Sequence, residues 1–398
     1  MQFNIKNEQI REFLKDIEPW LIKTRRDFHK HPELGFKELR TAKIIKKYLI
    51  EWGLDVSSEI GVTGVVGVLK GNQDSPVIAL RADMDGLPIQ DQKSVPYKST
   101  IDGVMHACGH DAHITMLLGA AYILSKFKRD IPGKIVFVFQ PAEEGPGGAN
   151  RMINEGVLEG VDMIFAQHVD PMIPVGQVGI QEYKAMAAID KFKLEVNGIS
   201  GHGAYPHQSV DAILVSAHLI TSFQSIVSRM VDPLKETVIT IGTINGGYRR
   251  NVIADSVEMG ATIRTFDPDI REKIPHLVER VIKGITSSYG ATYNLDYEFG
   301  YDPLLNDPMS VQFFKELASK MDDIDSIQTL SPVMSSEDFG SFLSKVPGCF
   351  WWLGVGSNIG LHNPMFDIDE RALKIGVNLL INTAINALEF SKERGRIK

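Results

Sequence analysis

The stretch Met105 to His113 reads M-H-A-C-G-H-D-A-H, with three histidines, a cysteine and an aspartate around Gly109. Cys108 and His110 stand two residues apart. In a turn, that spacing can aim a thiolate and an imidazole at one ion, and both suit zinc and its first-row neighbours. The run that follows (Ile114, Met116, Leu117, Leu118, Ala120, Ala121, Ile123, Leu124) has the spacing of a buried helix. The candidate ligands therefore fall in a loop at a helix N-terminus, where the macrodipole favours a thiolate. The plainer alternative is a cysteine buried as a small apolar residue beside histidines that cap a helix.

A second pair is Glu143-Glu144, after the apolar run Lys134 to Phe139 and between Pro141 and Gly145. Adjacent carboxylates repel unless a cation absorbs their charge. If one binds metal, the other can take a proton from a metal-bound water, the division of labour in a metal hydrolase. The alternative is a solvated loop with two acids. His168, ending the run Met163 to Gln167, and His362, in Gly360-Leu361-His362-Asn363-Pro364, add two imidazoles. Cys108, His110, Glu144, His168 and His362 outnumber the three protein ligands of a typical catalytic zinc. Two ions would use all five, with Cys108 between them. Asp83 and Asp85, in Arg81-Ala82-Asp83-Met84-Asp85-Gly86, are candidates to orient a ligand histidine. His29 and His31, at the end of a helical stretch before Pro32, read as structural.

The elements that must carry these residues alternate. Helical spacing at 7–29 and 37–51 precedes short β-rich runs at 62–69 and 77–81. The run at 134–139, a helix near 147–157 and the run at 163–167 follow the Cys108 helix. Strands alternating with helices mean a mainly parallel sheet with helices on both faces. Ligand sites in such sheets lie outside the carboxyl ends of the strands. Asp83 and Asp85, Glu143 and Glu144, and His168 each follow a strand, so residues far apart in the chain should share one sheet edge. Residues 186–300 differ: strand, glycine-rich turn, helix from Asp211 to about Met230, two strands, helix at 268–288, strand. That β-α-β-β-α-β order predicts a ferredoxin-like α+β domain inserted between a first catalytic part (1–185) and a second (301–398).

The bulk numbers exclude several classes. The 398 residues suffice for two domains. A net charge of −8 argues against nucleic acid or an anionic membrane surface as partner. Two cysteines cannot build a disulfide framework, which points to a reducing, cytoplasmic setting. Met1 to Lys15 mixes charges without the apolar segment of a signal peptide. No stretch approaches the roughly 18 apolar residues of a membrane span.

The segments RADMDGLPIQ, MHACGHDAH, FQPAEEGPGGA, GHGAYPH, NVIADSVEMGATIR, SSEDFG and GLHNP run through nearly the whole chain. In that order the sequence resembles the metallo-amidohydrolases that include bacterial aminoacylases, hippurate hydrolases and plant indoleacetyl-amino-acid hydrolases. The resemblance implies a metal-dependent exopeptidase-like fold and two divalent ions (zinc, manganese, cobalt or nickel) held by Cys108, His110, Glu144, His168 and His362. It implies Glu143 as general acid/base, with Asp85 beside it. The inserted segment would be the lid and dimerisation domain of a homodimer or homotetramer. His202, in Gly201-His202-Gly203-Ala204, would reach a neighbouring subunit's site to stabilise an oxyanion; Asn251 and Arg264 would hold the substrate's carboxylate. Related peptidases carry a bridging aspartate where this chain has Cys108, and a histidine where it has Asp83. The expected reaction is hydrolysis of an N-acyl-L-amino acid, a small-molecule substrate. Carboxypeptidase, dipeptidase or N-acetyl-diaminopimelate deacetylase activity stands as the alternative, and a non-catalytic metal- or peptide-binding protein as the rival of another class.

Overall fold

The computed structural model describes residues 7–397. The chain divides into two compact units, residues 1–185, 305–331 and 341–398 in the first and 186–304 with 332–340 in the second. The segment 332–340, expected with the catalytic part, groups with the second unit. Residues 1–6 of the N-terminal stretch lie outside the described part. No helix among the described residues is long and apolar enough to cross a membrane.

The first unit is built on an eight-stranded sheet. Its strands are β1 (Asp55–Ile60), β2 (Gly64–Lys70), β3 (Val77–Asp83), β4 (Lys134–Gln140), β5 (Met163–Asp170) and β6 (Gln177–Ile180), joined by β13 (Ser326–Thr329) and β14 (Gly348–Gly354). The spatial order is β1-β2-β4-β3-β5-β14-β6-β13. The central β4, β3, β5 and β14 are parallel; β1 and β2 extend the sheet antiparallel on one side. The parallel strands are covered on both faces, so β4 and β14 read as continuous apolar runs. No run in the sequence marks β1, β6 or β13, which are short or half-exposed. Helices α1 (Asn7–Lys30), α3 (His110–Lys126) and α8 (Ala372–Ile397) pack on one another, and α3 and α8 lie on β3 and β5. Helix α2 (Leu39–Glu51) packs on β1 and β2, and α7 (Pro308–Ala318) on β14. The short α4 (Ala149–Asn154) follows the Glu143–Glu144 turn.

The second unit holds an antiparallel sheet of β7 (Ala188–Asn197), β9 (Thr237–Gly246), β11 (Ser256–Thr265) and β12 (Thr292–Phe299) in the order β9-β11-β7-β12. Alternating burial along β7 and β11 places one face on α5 (Ala212–Ser225) and α6 (Pro268–Tyr289). Each helix is started by an aspartate. The Asp211 carboxylate accepts from the amides of Ile213 and Leu214, and that of Asp267 from Ile270, ahead of Pro268. The expected helix to Met230 leaves α-geometry at Ile226 and closes in a wider turn. A separate ribbon pairs β8 (Gly201–His202) with β10 (Val252–Ile253).

Candidate metal centre

The candidate residues gather where β3, β4, β5 and β14 end. Asp83 is the last residue of β3, and Glu143–Glu144 follow β4 by a short turn. His168, expected just after its strand, lies inside β5, which runs on to Asp170. Gly109 leads into α3 with φ +87°, and a Cβ there would meet Val169 Cγ2 at 2.3 Å. Only glycine therefore lets Cys108 and His110 turn this close to β5.

Ligand-type atoms of Cys108, His110 and Glu144 lie within 4.8 Å of one another. Those of Asp83, His110, His113 and His168 form a second such cluster sharing His110. Cys108 Sγ is 3.4 Å from His168 Nε2, and Glu144 Oε1 is 3.1 Å from His362 Nε2. The structure thus links all five expected ligands. His362 sits at φ +62°, an αL position rare for a side chain of its size and of a kind that collects at functional sites. His168 Nδ1 donates to its neighbour's carbonyl, Val169 O, at 2.8 Å, which leaves a lone pair on Nε2 facing the thiol. His113, unassigned by the sequence, has both nitrogens engaged. Nδ1 donates to Asp83 Oδ1 at 2.6 Å and Nε2 accepts from the Val169 amide at 2.9 Å. It braces Asp83, with Arg81 donating to Asp83 Oδ2 from the other side. Asp85 accepts from the amides of Glu143 and Glu144, one on each oxygen at 3.0 Å, and stands 3.3 Å from His110 Nδ1.

The donor set fits a cation. Both ring nitrogens of His110 and Oε1 of Glu144 are buried without a well-aligned hydrogen bond among the described residues, with only the close approaches of Asp85 and His362 beside them, an arrangement that a bound cation would complete. Burial alone would depress His110, yet Asp83, Asp85 and Glu144 push it up to about 10. Burial, reinforced by Glu144 and Glu143, drives the Cys108 thiol well up. Cys108 precedes α3 and faces carboxylates, so a cation rather than the helix dipole would have to hold it as a thiolate. Burial also drives His168 well down, keeping it the neutral imidazole a metal requires. A buried, acid-rich pocket of sulfur, nitrogen and oxygen donors calls for positive charge, and divalent first-row ions suit that mixture.

The remaining expected residues lie in the second unit. His202 Nδ1 accepts from the Ala204 amide at 3.1 Å, so the proton of the neutral ring sits on Nε2, an exposed donor. Asn251 flanks the paired ribbon, its carbonyl accepting from the Gly203 amide at 2.9 Å. The structure does not bring Arg264 to this pair. It lies near the far end of β11 and donates to Met334 O at 2.6 Å. His29 is buried in the last turn of α1, bonded through Nδ1 to Asp111 at 2.7 Å, and His31 Nδ1 donates to Asp27 O, both structural.

Residues 79–386 match the model of peptidase family M20/M25/M40. The chain belongs to that family. It is 39% identical over 395 residues to thermostable carboxypeptidase 2 of Saccharolobus solfataricus, covering 97% of this chain and 99% of that one. It is 39% identical over 376 residues to an N-acetylcysteine deacetylase of Bacillus subtilis, covering 94% and 98%. A dinuclear metal-binding M20 peptidase from Bacillus subtilis superposes with a TM-score of 0.83 at 34% identity, over 94% of this chain and 99% of that one. This M20 chain is thus a metal-dependent hydrolase of the amide-cleaving kind.

Proposed function

We propose that the protein hydrolyses N-acyl-L-amino acids to a carboxylate and a free amino acid. The observation that carries this is the linked set of Cys108, His110, Glu144, His168 and His362, whose buried donor atoms on His110 and Glu144 lack well-aligned hydrogen bonds, beside a second carboxylate on Glu143. Two divalent cations held there would supply Lewis acidity for the acyl carbonyl and acidify water. Glu143 takes the proton from water and returns it to the leaving nitrogen. Asp85 fixes Glu143 and Glu144 through their backbone amides. His202 donates from Nε2 to the oxyanion in the site of a second copy. Asn251, beside His202, holds the amino acid's carboxylate, and Arg264, which lies apart from that pair in its own chain, offers a guanidinium suited to the same carboxylate.

Action in trans requires a homodimer or larger assembly. Exposed apolar side chains of the second unit, Ile213 and Leu214 on α5 and Val238 and Ile244 on β9, are available for such a contact. The N-acetylcysteine deacetylase relative supports the N-acyl reading. The carboxypeptidase relative, equally similar, favours a second one in which the acyl group is itself an amino acid. The test is release of free amino acid from N-acetyl-L-methionine, N-benzoyl amino acids and dipeptides by purified protein, before and after chelation and after return of manganese, cobalt or zinc. Metal-restored release from acyl substrates supports the proposal. Release from dipeptides alone moves the reading to carboxypeptidase, and release from none in any metal state refutes both.

A further inference from the structure

The turn that carries Glu143 and Glu144 is held by three consecutive backbone amides. Those of Glu143 and Glu144 donate to Asp85, and that of Ala142 donates to Glu38 Oε1 at 2.9 Å. Ala142 sits at φ +54°, a left-handed conformation that a non-glycine residue adopts only where its surroundings impose it. Glu38 is fully buried, and its other oxygen accepts from the Thr63 hydroxyl at 2.6 Å. Glu38 precedes α2, where an acidic side chain ordinarily caps the helix; it makes no such bond. Glu33 does that work instead, accepting from the amides of Arg40 at 3.0 Å and Thr41 at 2.8 Å. The Glu38 carboxylate is thus turned away from its own helix and committed to the turn. Gly35 lets the two segments touch, since a Cβ there would lie 2.9 Å from Ala142 Cβ.

We propose that Glu38 is a positioning residue for the reaction: with Thr63 fixing its carboxylate, it locks Ala142 in the left-handed conformation that sets where Glu143 and Glu144 stand. This rests on the roles given to Glu143 and Glu144 above. A carboxylate is the acceptor of choice because its bond to a buried amide is charge-assisted and short. Glutamine should replace it well. Its oxygen accepts from Ala142, and its NH2 donates to a Thr63 hydroxyl rotated to accept.

Three variants test this, each measured for kcat and KM, for Co2+ affinity by visible titration of the metal-free protein, and for Tm. E38A should lose about 100-fold in kcat with KM nearly unchanged, the scale of a small misplacement of reacting groups. Its Co2+ affinity should fall about 10–100-fold, as when a ligand loses its support. E38Q should recover most of both. L49A empties a core position of α2 and should lower Tm comparably while moving neither readout. If E38A does not fold, Thr63→Val takes its place with a smaller loss in the same two readouts. Wild-type kcat and Co2+ affinity in E38A, or an equal loss in L49A, would overturn the proposal. Should the wild-type protein cleave no N-acyl amino acid, the functional reading fails, while the Co2+ arm still decides Glu38.

Discussion

Replacing Gly109 with alanine perturbs the point where the Cys108–His110 loop meets β5. At φ +87°, a Cβ costs about 1–2 kcal/mol in left-handed strain. The same Cβ would stand 2.3 Å from Val169 Cγ2. Val169 cannot easily yield, because it sits in β5 next to His168 and its amide holds His113 Nε2 at 2.9 Å. Overpacking of that kind costs about 1–3 kcal/mol. Against both, alanine restricts the unfolded chain by about 0.4–1 kcal/mol. The net expectation is a loss of about 1–5 kcal/mol, a large share of the roughly 5–15 kcal/mol of a typical fold. The assay is urea unfolding followed by circular dichroism, with Co2+ titration of the metal-free protein, since His110 is the next residue. Adding Val169→Ala to the G109A background should relieve the clash, so the pair should be less destabilised than the sum of the single variants. An unchanged midpoint in G109A, or strict additivity of the two changes, would refute the close-approach argument.

Two further predictions concern the ionic cluster behind the loop. Arg25 is fully buried, its guanidinium 2.8 Å from Asp111 Oδ2 and 2.8 Å from Asp367 Oδ1, so Arg25→Met should cost about 3–5 kcal/mol by stranding carboxylates. A loss below about 1 kcal/mol in urea unfolding would mean that the cluster contributes nothing net. Burial and the hydrogen bond to Asp367 push the Tyr97 phenol from its ordinary value near 10 up to about 12. A raised folded-state value means stability present below pH 10 and lost as pH climbs toward 12. Tyr97→Phe should be less stable than wild type at pH 8 but lose less between pH 10 and 12; parallel stability curves would contradict this.

The architecture was legible where chain chemistry forces one answer. Apolar runs such as Lys134 to Phe139 become strands buried on both faces, and their alternation with helices makes a largely parallel sheet. That topology let residues as distant as Asp83, Glu144 and His168 be expected at one sheet edge, where they lie. Less was legible where the signal is weak or non-local. β1 reads Asp-Val-Ser-Ser-Glu-Ile, too polar to stand out, and is stabilised by pairing with β2. The apolar run Met163 to Gln167 stops at His168, yet β5 runs on to Asp170 and keeps His168 inside it. His113 stands five residues after Cys108, in the first turn of α3, but only the structure shows both its nitrogens already engaged. Glu38 carries no signal at all in sequence, since its partner Ala142 is more than a hundred residues away.

The most direct test of the account is Glu143→Gln, assayed for kcat on the substrate the wild type cleaves and for bound metal by elemental analysis. Loss of general acid/base catalysis should lower kcat by about 10²–10⁴-fold. Metal content should stay at the wild-type level, because Glu143 is not among the residues proposed to hold the ions. A variant that turns over at the wild-type rate would contradict the central role given to this carboxylate. One that loses metal together with activity would make Glu143 a ligand instead.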